Sequence, residues 1–582
     1  MQRRWQLKGR NSNKVIARDK ALFALIVLCF LTYANCLNNA FISDDIPAIL
    51  ENPQITQASR YWLEPSGLLN SFCFKLFKVN PVPYRLVNIL LHCLNSLLVF
   101  FFLRLYFGTA GSFWGAAIFA VHPAHVEAVA WISGRPYLIL AFFILITYLL
   151  YQRATEKEKF KPLSYAIALL LFSYYIISSY SFFALFPLLL ILSDVTFQKW
   201  RRNWKFWVPF FAILIFRLLL GKHSIAGRIT QVGEDLGAPL SYNPLVYLTY
   251  VFYSHLRVLI WPLRLTFYYD PAVLSQDLLR FYPLYLLPIA LLLVFAFKKE
   301  RRLFFALGVF ILLLAPAYSP IPVTSLVTER YLYFPVLSVS MLAAFVLEKS
   351  SAGKAKFRLL ILAFLSALII LFSWRAIIRN GDWKDQVIFW RRTLAASPKS
   401  SRAHNNMGLI YLKQGDTESA FSEFSQAIAL NPREVDAYIN LGLAYEKSGR
   451  QDEAISLFQA AIRLKPQYGF SYYNLANVYK RINKTEQAAA FYRLALEKNP
   501  ALLKAYNNLA NLYITQGKYA QAVYLLEEAI KLNPHYAAAY LNLSIANFYL
   551  KDYARAVAYC DQARRLGLEV PPGYRESLEV YR

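Results

Sequence analysis

Phe41-Ile-Ser-Asp44-Asp45 places two adjacent carboxylates just beyond an apolar stretch, where charge is costly to hold near hydrocarbon. A carboxylate of this kind can take a proton from a hydroxyl that attacks an electrophilic carbon. The same residues also fit a solvated acid pair, or a helix cap at Ser43 or Asp44 ahead of Ile46-Pro-Ala-Ile-Leu. Both readings stand on the residues alone. Three further groups carry polar chemistry inside apolar surroundings. His122, His125 and Glu127 lie in one segment, the histidines at i and i+3, a spacing that shares a helix face. Glu329-Arg330 sits in VTERYLYFP, and Arg135 in ISGRPY. Polar packing between helices explains the His and Glu group as well as chemistry does. A guanidinium at the membrane surface suits an anionic phosphate.

The elements that must position these groups are apolar helices. The chain has 582 residues, 57% hydrophobic and 16% aromatic, and its long apolar runs fall within 21–378. A helical crossing needs about 20 apolar residues. Candidates are 21–38, 86–106, 112–131, 137–152, 164–180, 181–197, 204–221, 280–297, 303–318, 331–348 and 359–378. The expected fold class is therefore all-α: a polytopic helix bundle of about 11 spans, followed by a helical solenoid.

The net charge is +28. Its distribution argues against nucleic acid as a partner, because the basic residues sit in short segments between apolar runs. These are the N-terminal tail (Arg3 to Lys20), Arg153–Lys161, Lys199–Lys205, Lys298–Arg302 and Lys349–Arg358. Placing all of them on the cytoplasmic face makes 243–263 re-entrant or interfacial. The N-terminus is then cytoplasmic, and everything after the last span is extracytoplasmic. Loop 39–85 and segments 222–242 and 319–330 fall on that outer face, where long loops build sites. The N-terminal apolar stretch lacks a small-residue cleavage signal and reads as an uncleaved span. The cysteines are Cys29, Cys36, Cys73, Cys93 and Cys560. They make no zinc spacing, and Cys36 with Cys73 could bridge if both faced outward.

Residues 401–570 carry an internal repeat. Pro432, Pro466, Pro500 and Pro534 are 34 residues apart. Small residues recur in the same register at Gly408, Gly442, Ala476, Ala510 and Ser544, and alanines at 420, 454, 488, 522 and 556. Small residues let paired helices approach, and the proline ends each unit. The period and positions define about five tetratricopeptide hairpins, with 571–582 as a tail and 381–400 as a linker helix. Asn406, Asn440, Asn474, Asn508 and Asn542 form a further ladder. Asn is a mediocre helix former, so propensity does not explain it. Carboxamides in a groove can hydrogen-bond a peptide backbone, or they can tie neighbouring hairpins together. The ladder resembles the one in the substrate-binding repeats of O-linked N-acetylglucosamine transferase.

Several segments, in order, resemble the transmembrane, tetratricopeptide-repeat O-mannosyltransferases and their bacterial relatives: FISDDIPAILENPQI, PVPYRLVNILLHCLNSLLVFFFL, FAVHPAHVEAVAWISGR, LRVLIWPLRLTFYYD, VTERYLYFP and RNGDWKDQVIFWRRTLAASPKSSRAHNNMG. The resemblance covers nearly the whole chain. It implies a C-type glycosyltransferase bundle in 21–380, with a polyprenyl-phosphate sugar as donor and a protein acceptor recruited by the repeats. It further implies Asp44 as base, Asp45 as positioning group, and Arg330 or Arg135 on the donor phosphate. It calls for no cofactor and does not exclude a divalent metal. The repeats would face the endoplasmic-reticulum lumen, or the periplasm in a bacterium. The sequence departs from the family pattern at Glu64, where arginine precedes Pro65, at Tyr137 in place of an acid, and at Tyr180-Ser181 in place of Lys-Glu. A non-catalytic repeat scaffold on a degenerate membrane domain is the alternative that these departures keep open.

Overall fold

Apolar runs too long to be strands, with few internal glycines, have one way of satisfying their backbone in lipid, and the chain takes it. In a computed structural model, described for residues 19–52, 55–56, 58–156, 160–178, 183–220, 244–262, 265–266, 291–315, 328–350 and 355–582, the described regular structure is helical. The chain divides into two compact units, residues 1–399 and 400–582.

Among the described residues of the first unit, five helices are long and apolar enough to cross a membrane. They are α1 (Asp19–Cys36), α3 (Pro81–Arg104), α6 (Ile132–Ala154, regular from Arg135), α9 (Trp200–Leu220) and α13 (Ala355–Gly381). Shorter apolar helices accompany them: α4 (Thr109–Val121), α7 (Pro162–Ser178), α8 (Phe186–Thr196), and Val251–Ile260 within α10 (Pro244–Ile260). Two more, α11 (Arg301–Leu314) and α12 (Val336–Ser350), complete the set used below. The chain is a multi-pass membrane protein. The expected span at 280–297, the loop 222–242, the segment 319–327, most of the basic N-terminal tail, Tyr180 and Ser181 lie wholly or largely outside the described residues.

Two local features depart from the pattern reading. The stretch 112–131 is not one helix. It stops at Val121, His122 turns to extended backbone, Pro123–His125 forms a 3-10 turn, and a five-residue helix α5 (Val126–Ala130) follows. Pro123 removes a donor and disfavours helix at the residue before it, which explains the break. His122 and His125 therefore do not share a helix face. Loop 39–85 contains the regular helix α2 (Pro65–Phe77), and α3 begins at Pro81, where the Asn80 side chain accepts a bond from the Val82 N–H. Cys36 and Cys73 are both free and buried, so no bridge joins them.

The second unit is a stack of five helical hairpins: Ser401–Gln414 with Thr417–Leu430, Val435–Lys447 with Gln451–Leu464, Gly469–Arg481 with Thr485–Lys498, Leu503–Thr515 with Tyr519–Leu532, and Ala537–Tyr549 with Tyr553–Arg565. A short helix, Pro572–Glu579, follows and buries Leu578 against Ala556 and Cys560. Within each hairpin, size is matched across the pair. A Cβ on Gly408 would lie 2.6 Å from the Phe424 ring, and one on Gly442 would lie 2.7 Å from Phe458. The turns repeat too. Gly415, Gly449, Asn483, Gly517 and Lys551, spaced 34 apart in sequence, all have positive φ (84°, 79°, 59°, 73° and 65°). A left-handed residue ends the first helix of each hairpin, and glycine supplies it without steric cost.

Candidate active site and repeat ladder

The two adjacent aspartates have opposite environments. Asp45 is fully buried. Its Oδ1 accepts from the Ser133 N–H (2.8 Å) and hydroxyl (2.6 Å), and its Oδ2 accepts from the Ile42 N–H (3.4 Å). Burial pushes its carboxyl up to about 6, with the Ser133 bonds and the Arg85 charge pulling the other way. Asp44 is exposed, with the Ser43 hydroxyl at 3.5 Å from its carboxylate. Ser43 has φ 49°, so the chain reverses sharply there and sends the two carboxylates different ways. The cap reading is not what forms. Asp45 occupies the cap position of the turn Ile46–Leu50 and makes no side-chain cap bond.

The loop that carries the pair is tied down by groups the sequence did not advertise. Arg85 is fully buried. It donates to the carbonyls of Ala130 (3.0 Å), Ala40 (2.5 Å) and Asn39. The Ala40 N–H donates to the Lys384 carbonyl at 2.8 Å, and Asn39 to the Asn380 carbonyl at 3.0 Å. Asn380 in turn donates to the Thr32 carbonyl (2.9 Å) and to Asn35 (2.7 Å). The end of α1, the start of α3 and the end of α13 thus converge under the aspartates. Arg85 and Ser133 stand in segments that carry the resemblance but were not singled out there. The one signal was an arginine inside an apolar run, which must find partners when buried.

Arg330 lies in a turn at Glu329–Leu332. Its guanidinium donates to Glu127 at 2.8 Å, and its N–H donates to the other oxygen at 3.1 Å. It packs over the Trp131 ring at 5.3 Å. The preceding Glu329 is fully buried and accepts from Arg379 at 2.8 Å, and Arg379 also donates to Asp382 at 2.9 Å. Burial raises Glu329 to about 8, against the opposing Arg379 charge. Burial likewise raises Glu127, opposed chiefly by Arg330. Arg330 lines a pocket with Tyr137, Leu140, Ile144, Tyr331 and Tyr333, closed by Leu185, Leu313, Phe334 and Pro335. The pocket is aromatic and aliphatic with one cationic wall. Tyr137, where an acid was expected, is part of that wall.

Arg135 is placed otherwise. It is 1% exposed and donates to Asn88 (2.7 Å), Asn70 (2.6 Å) and the Tyr84 carbonyl (2.8 Å). Its donors hold α2 and α3 to α6, so it is a tie between helices and not a phosphate ligand in this arrangement. The histidines are also occupied. His122 Nδ1 accepts from the Ala124 N–H (3.2 Å), which leaves Nε2 to donate to the Leu259 carbonyl (2.9 Å), so the ring is neutral. His125 Nε2 meets the Tyr333 carbonyl at 2.9 Å. His92, which the sequence reading passed over, bridges the Tyr333 hydroxyl (2.8 Å) and the Ala120 carbonyl (3.0 Å). These rings are packing elements. Glu64 precedes α2 without a capping bond.

One segment joins the two halves of the site. Trp131 carries Arg330, Ser133 carries Asp45, and Glu127 neutralises Arg330. Gly134 lets this segment fold on itself, because a Cβ there would lie 2.8 Å from the Ala128 Cα and the Glu127 carbonyl oxygen.

In the repeat unit the asparagine ladder is largely engaged with itself. Asn440 donates to Asn405 at 2.9 Å, Asn542 to Asn507 at 2.8 Å, and Asn508 to Asn477 (3.1 Å) and the Tyr473 hydroxyl (3.3 Å). Asn406 donates to the Arg402 carbonyl of its own helix at 2.8 Å. The tying role, one of two readings of the ladder, is thus present at three rungs.

Comparison with known proteins agrees with this architecture. Residues 67–220 match the dolichyl-phosphate-mannose-protein mannosyltransferase family, and residues 405–469, 471–501 and 507–567 match tetratricopeptide repeats. The chain is 25% identical over 434 residues to the protein O-mannosyl-transferase F38B6.6 of Caenorhabditis elegans, covering 69% of this chain and 61% of that one. It is 25% identical to human protein O-mannosyl-transferase TMTC4, covering 68% and 64%. It is 34% identical to Tmtc1 of Drosophila melanogaster over 191 residues, 29% and 22% of the two chains. The chain thus spans less than two thirds of the length of each of these relatives. Among solved structures, MamA superposes over 27% of this chain and 93% of its own, with TM-score 0.26 and 23% identity.

Proposed function

As a member of the TMTC-like, tetratricopeptide-repeat O-mannosyltransferase family, the chain is, we propose, a membrane glycosyltransferase. It moves a mannose-like sugar from a polyprenyl phosphate to a hydroxyl of a protein acceptor recruited by the repeats. Asp44 is the general base. The acceptor oxygen bonds to the anomeric carbon as that carbon's bond to the phosphate oxygen breaks. The hydroxyl proton passes to Asp44, and the polyprenyl phosphate leaves as an anion. The anomeric centre inverts. Asp45 holds the loop through Ser133, and its charge is spent inside the protein. Arg330 meets the leaving phosphate at the mouth of the aromatic pocket, relaxing its pair with Glu127. Arg135, whose donors are committed to the helix tie, takes no part.

The single observation that carries this reading is the division of labour at Asp44-Asp45: one carboxylate is locked by Ser133 and its neighbour is presented to solvent. In this reading the acceptor and the repeats are extracytoplasmic, the side that the charge distribution of the loops favours. The reading asks for no cofactor, so transfer should persist in a chelator.

The test is transfer from mannosyl polyprenyl phosphate to a protein acceptor in membranes. Asp44→Asn should lower the rate about 10²–10⁴-fold, the range for losing a general base. A folded wild-type protein that transfers no sugar from any polyprenyl-phosphate donor, while its repeats still bind partners, would move the assignment to a repeat scaffold.

A further inference from the structure

The ladder of asparagines is chemically uneven, and the unevenness has a visible cause. Three rungs meet the residue 35 positions earlier, on the first helix of the preceding hairpin. For Asn440 that residue is Asn405, for Asn508 it is Tyr473 and for Asn542 it is Asn507, and each supplies an acceptor. For Asn474 it is Ile439, which has none. Asn474 is 8% exposed, and its side chain makes no hydrogen bond among the described residues. Neither of its amide atoms is among the polar atoms sealed from water, so the carboxamide keeps its contact with solvent and can exchange water for a ligand. It differs in this from the rungs on either side, whose amide N–H groups are engaged across the hairpins.

We infer that Asn474 is the open rung of the ladder, the position at which the repeats take hold of an extended polypeptide. A peptide backbone presents one N–H and one C=O per residue, the complement of one carboxamide. The grip reads no side chain, as suits a transferase that must accept many hydroxyl-bearing segments. Tyr473 and Asn477, beside it on the same helix, are held in place by Asn508 and by the Tyr492 hydroxyl, which donates to Asn477 at 2.6 Å. The neighbourhood is thus rigid while its centre is unfilled. The inference rests on the reading that the repeats recruit the acceptor, and it narrows that recruitment from five rungs to one.

The test uses the full-length protein in detergent and a fluorescein-labelled peptide of Ser, Thr and Gly, with binding read by anisotropy in the absence of donor. Asn474→Ala should weaken binding about tenfold, the loss of one to two backbone hydrogen bonds. It should leave the melting temperature unchanged or raised, since alanine is the better helix former. Asn440→Ala and Asn542→Ala should do the reverse: binding within about twofold of wild type, with earlier melting as an inter-repeat bond is lost. Wild-type-like binding by Asn474→Ala overturns the inference. So does a wild-type protein that glycosylates a protein acceptor without Asn474-dependent peptide binding, and that outcome leaves the transferase reading intact. Asn474-dependent binding by a protein that transfers no sugar supports the open rung and removes the transferase.

Discussion

Asp45→Asn isolates the electrostatics of the locked carboxylate. Asp45 lies in the loop between α1 and α3, outside the spans, and its carboxyl rises from 3.8 to about 6 on folding. In that window the folded protein keeps a proton that the unfolded chain has released. The Asp45 contribution to stability therefore falls as pH rises from about 4 to about 6 and is level above it. The shift corresponds to about 3 kcal/mol. Asparagine has the same shape, can still accept from Ser133, and has nothing to ionise. The difference in unfolding free energy, variant minus wild type, should grow by about 2.4 kcal/mol between pH 4 and pH 7, since part of the shift is already spent at pH 4. Glu329, raised to about 8, imposes a fall of the same sign on both proteins and cancels in the difference. The assay is denaturant unfolding in detergent across that pH range, followed by tryptophan fluorescence. A difference that does not vary with pH would refute the reasoning, because it would mean that Asp45 titrates alike in both states. A difference that shrinks would show a carboxylate stabilised by folding, with Ser133 and Arg85 outweighing burial.

Ser133→Ala removes the 2.6 Å hydroxyl bond to Asp45 and spares the N–H; the same measurement should show the falling limb extending to higher pH by about one unit. Gly442→Ala forces a Cβ to within 2.7 Å of Phe458 and should cost about 1–2 kcal/mol net, overpacking less the helix-propensity gain. In a Phe458→Leu background the same change should be tolerated, which a double-mutant cycle of melts will show. Lys551 holds a left-handed conformation at φ 65° that glycine holds in three other turns. Lys551→Gly should therefore stabilise by about 0.5–1 kcal/mol, read as a higher melting temperature. Glu127→Ala takes the carboxylate from the largely buried Arg330 and should lower stability by about 3–5 kcal/mol.

What was legible in the sequence follows from what repeats and what does not. The hairpins could be read because five copies of one packing problem leave the same residues at the same spacing, down to the small residue facing a ring. The acid pair could be read because charge beside hydrocarbon is conspicuous. Their different environments could not, since nothing in two consecutive aspartates says which one Ser133 will reach 88 residues later. The break at His122 was marked by Pro123, but the apolar run on both sides concealed it. The surroundings of Arg135 were hidden for a related reason. A guanidinium at the end of a span suits a phosphate and suits a knot of helix-end carbonyls and carboxamides equally, and only Asn70, Asn88 and Tyr84 in place decide between them. The asparagine rungs show the limit of periodicity: it aligned five identical residues, and at three of them the partner is a residue 35 positions earlier that the period does not constrain.

The short stretch from Glu127 to Ser133 has a consequence for how such a protein can change over time. Trp131 supports the cationic wall and Ser133 the locked aspartate, two residues apart on one strap. With the donor and acceptor placed as in the proposed function, a substitution that shifts the strap to suit a bulkier donor also drags the acceptor side with it, so the two preferences cannot drift separately. Tyr137 stands just outside the strap, on α6, and lines the pocket. Novelty in the donor is therefore expected to enter through positions such as this one, while Glu127 to Ser133 stays frozen as a hinge pin common to both partners.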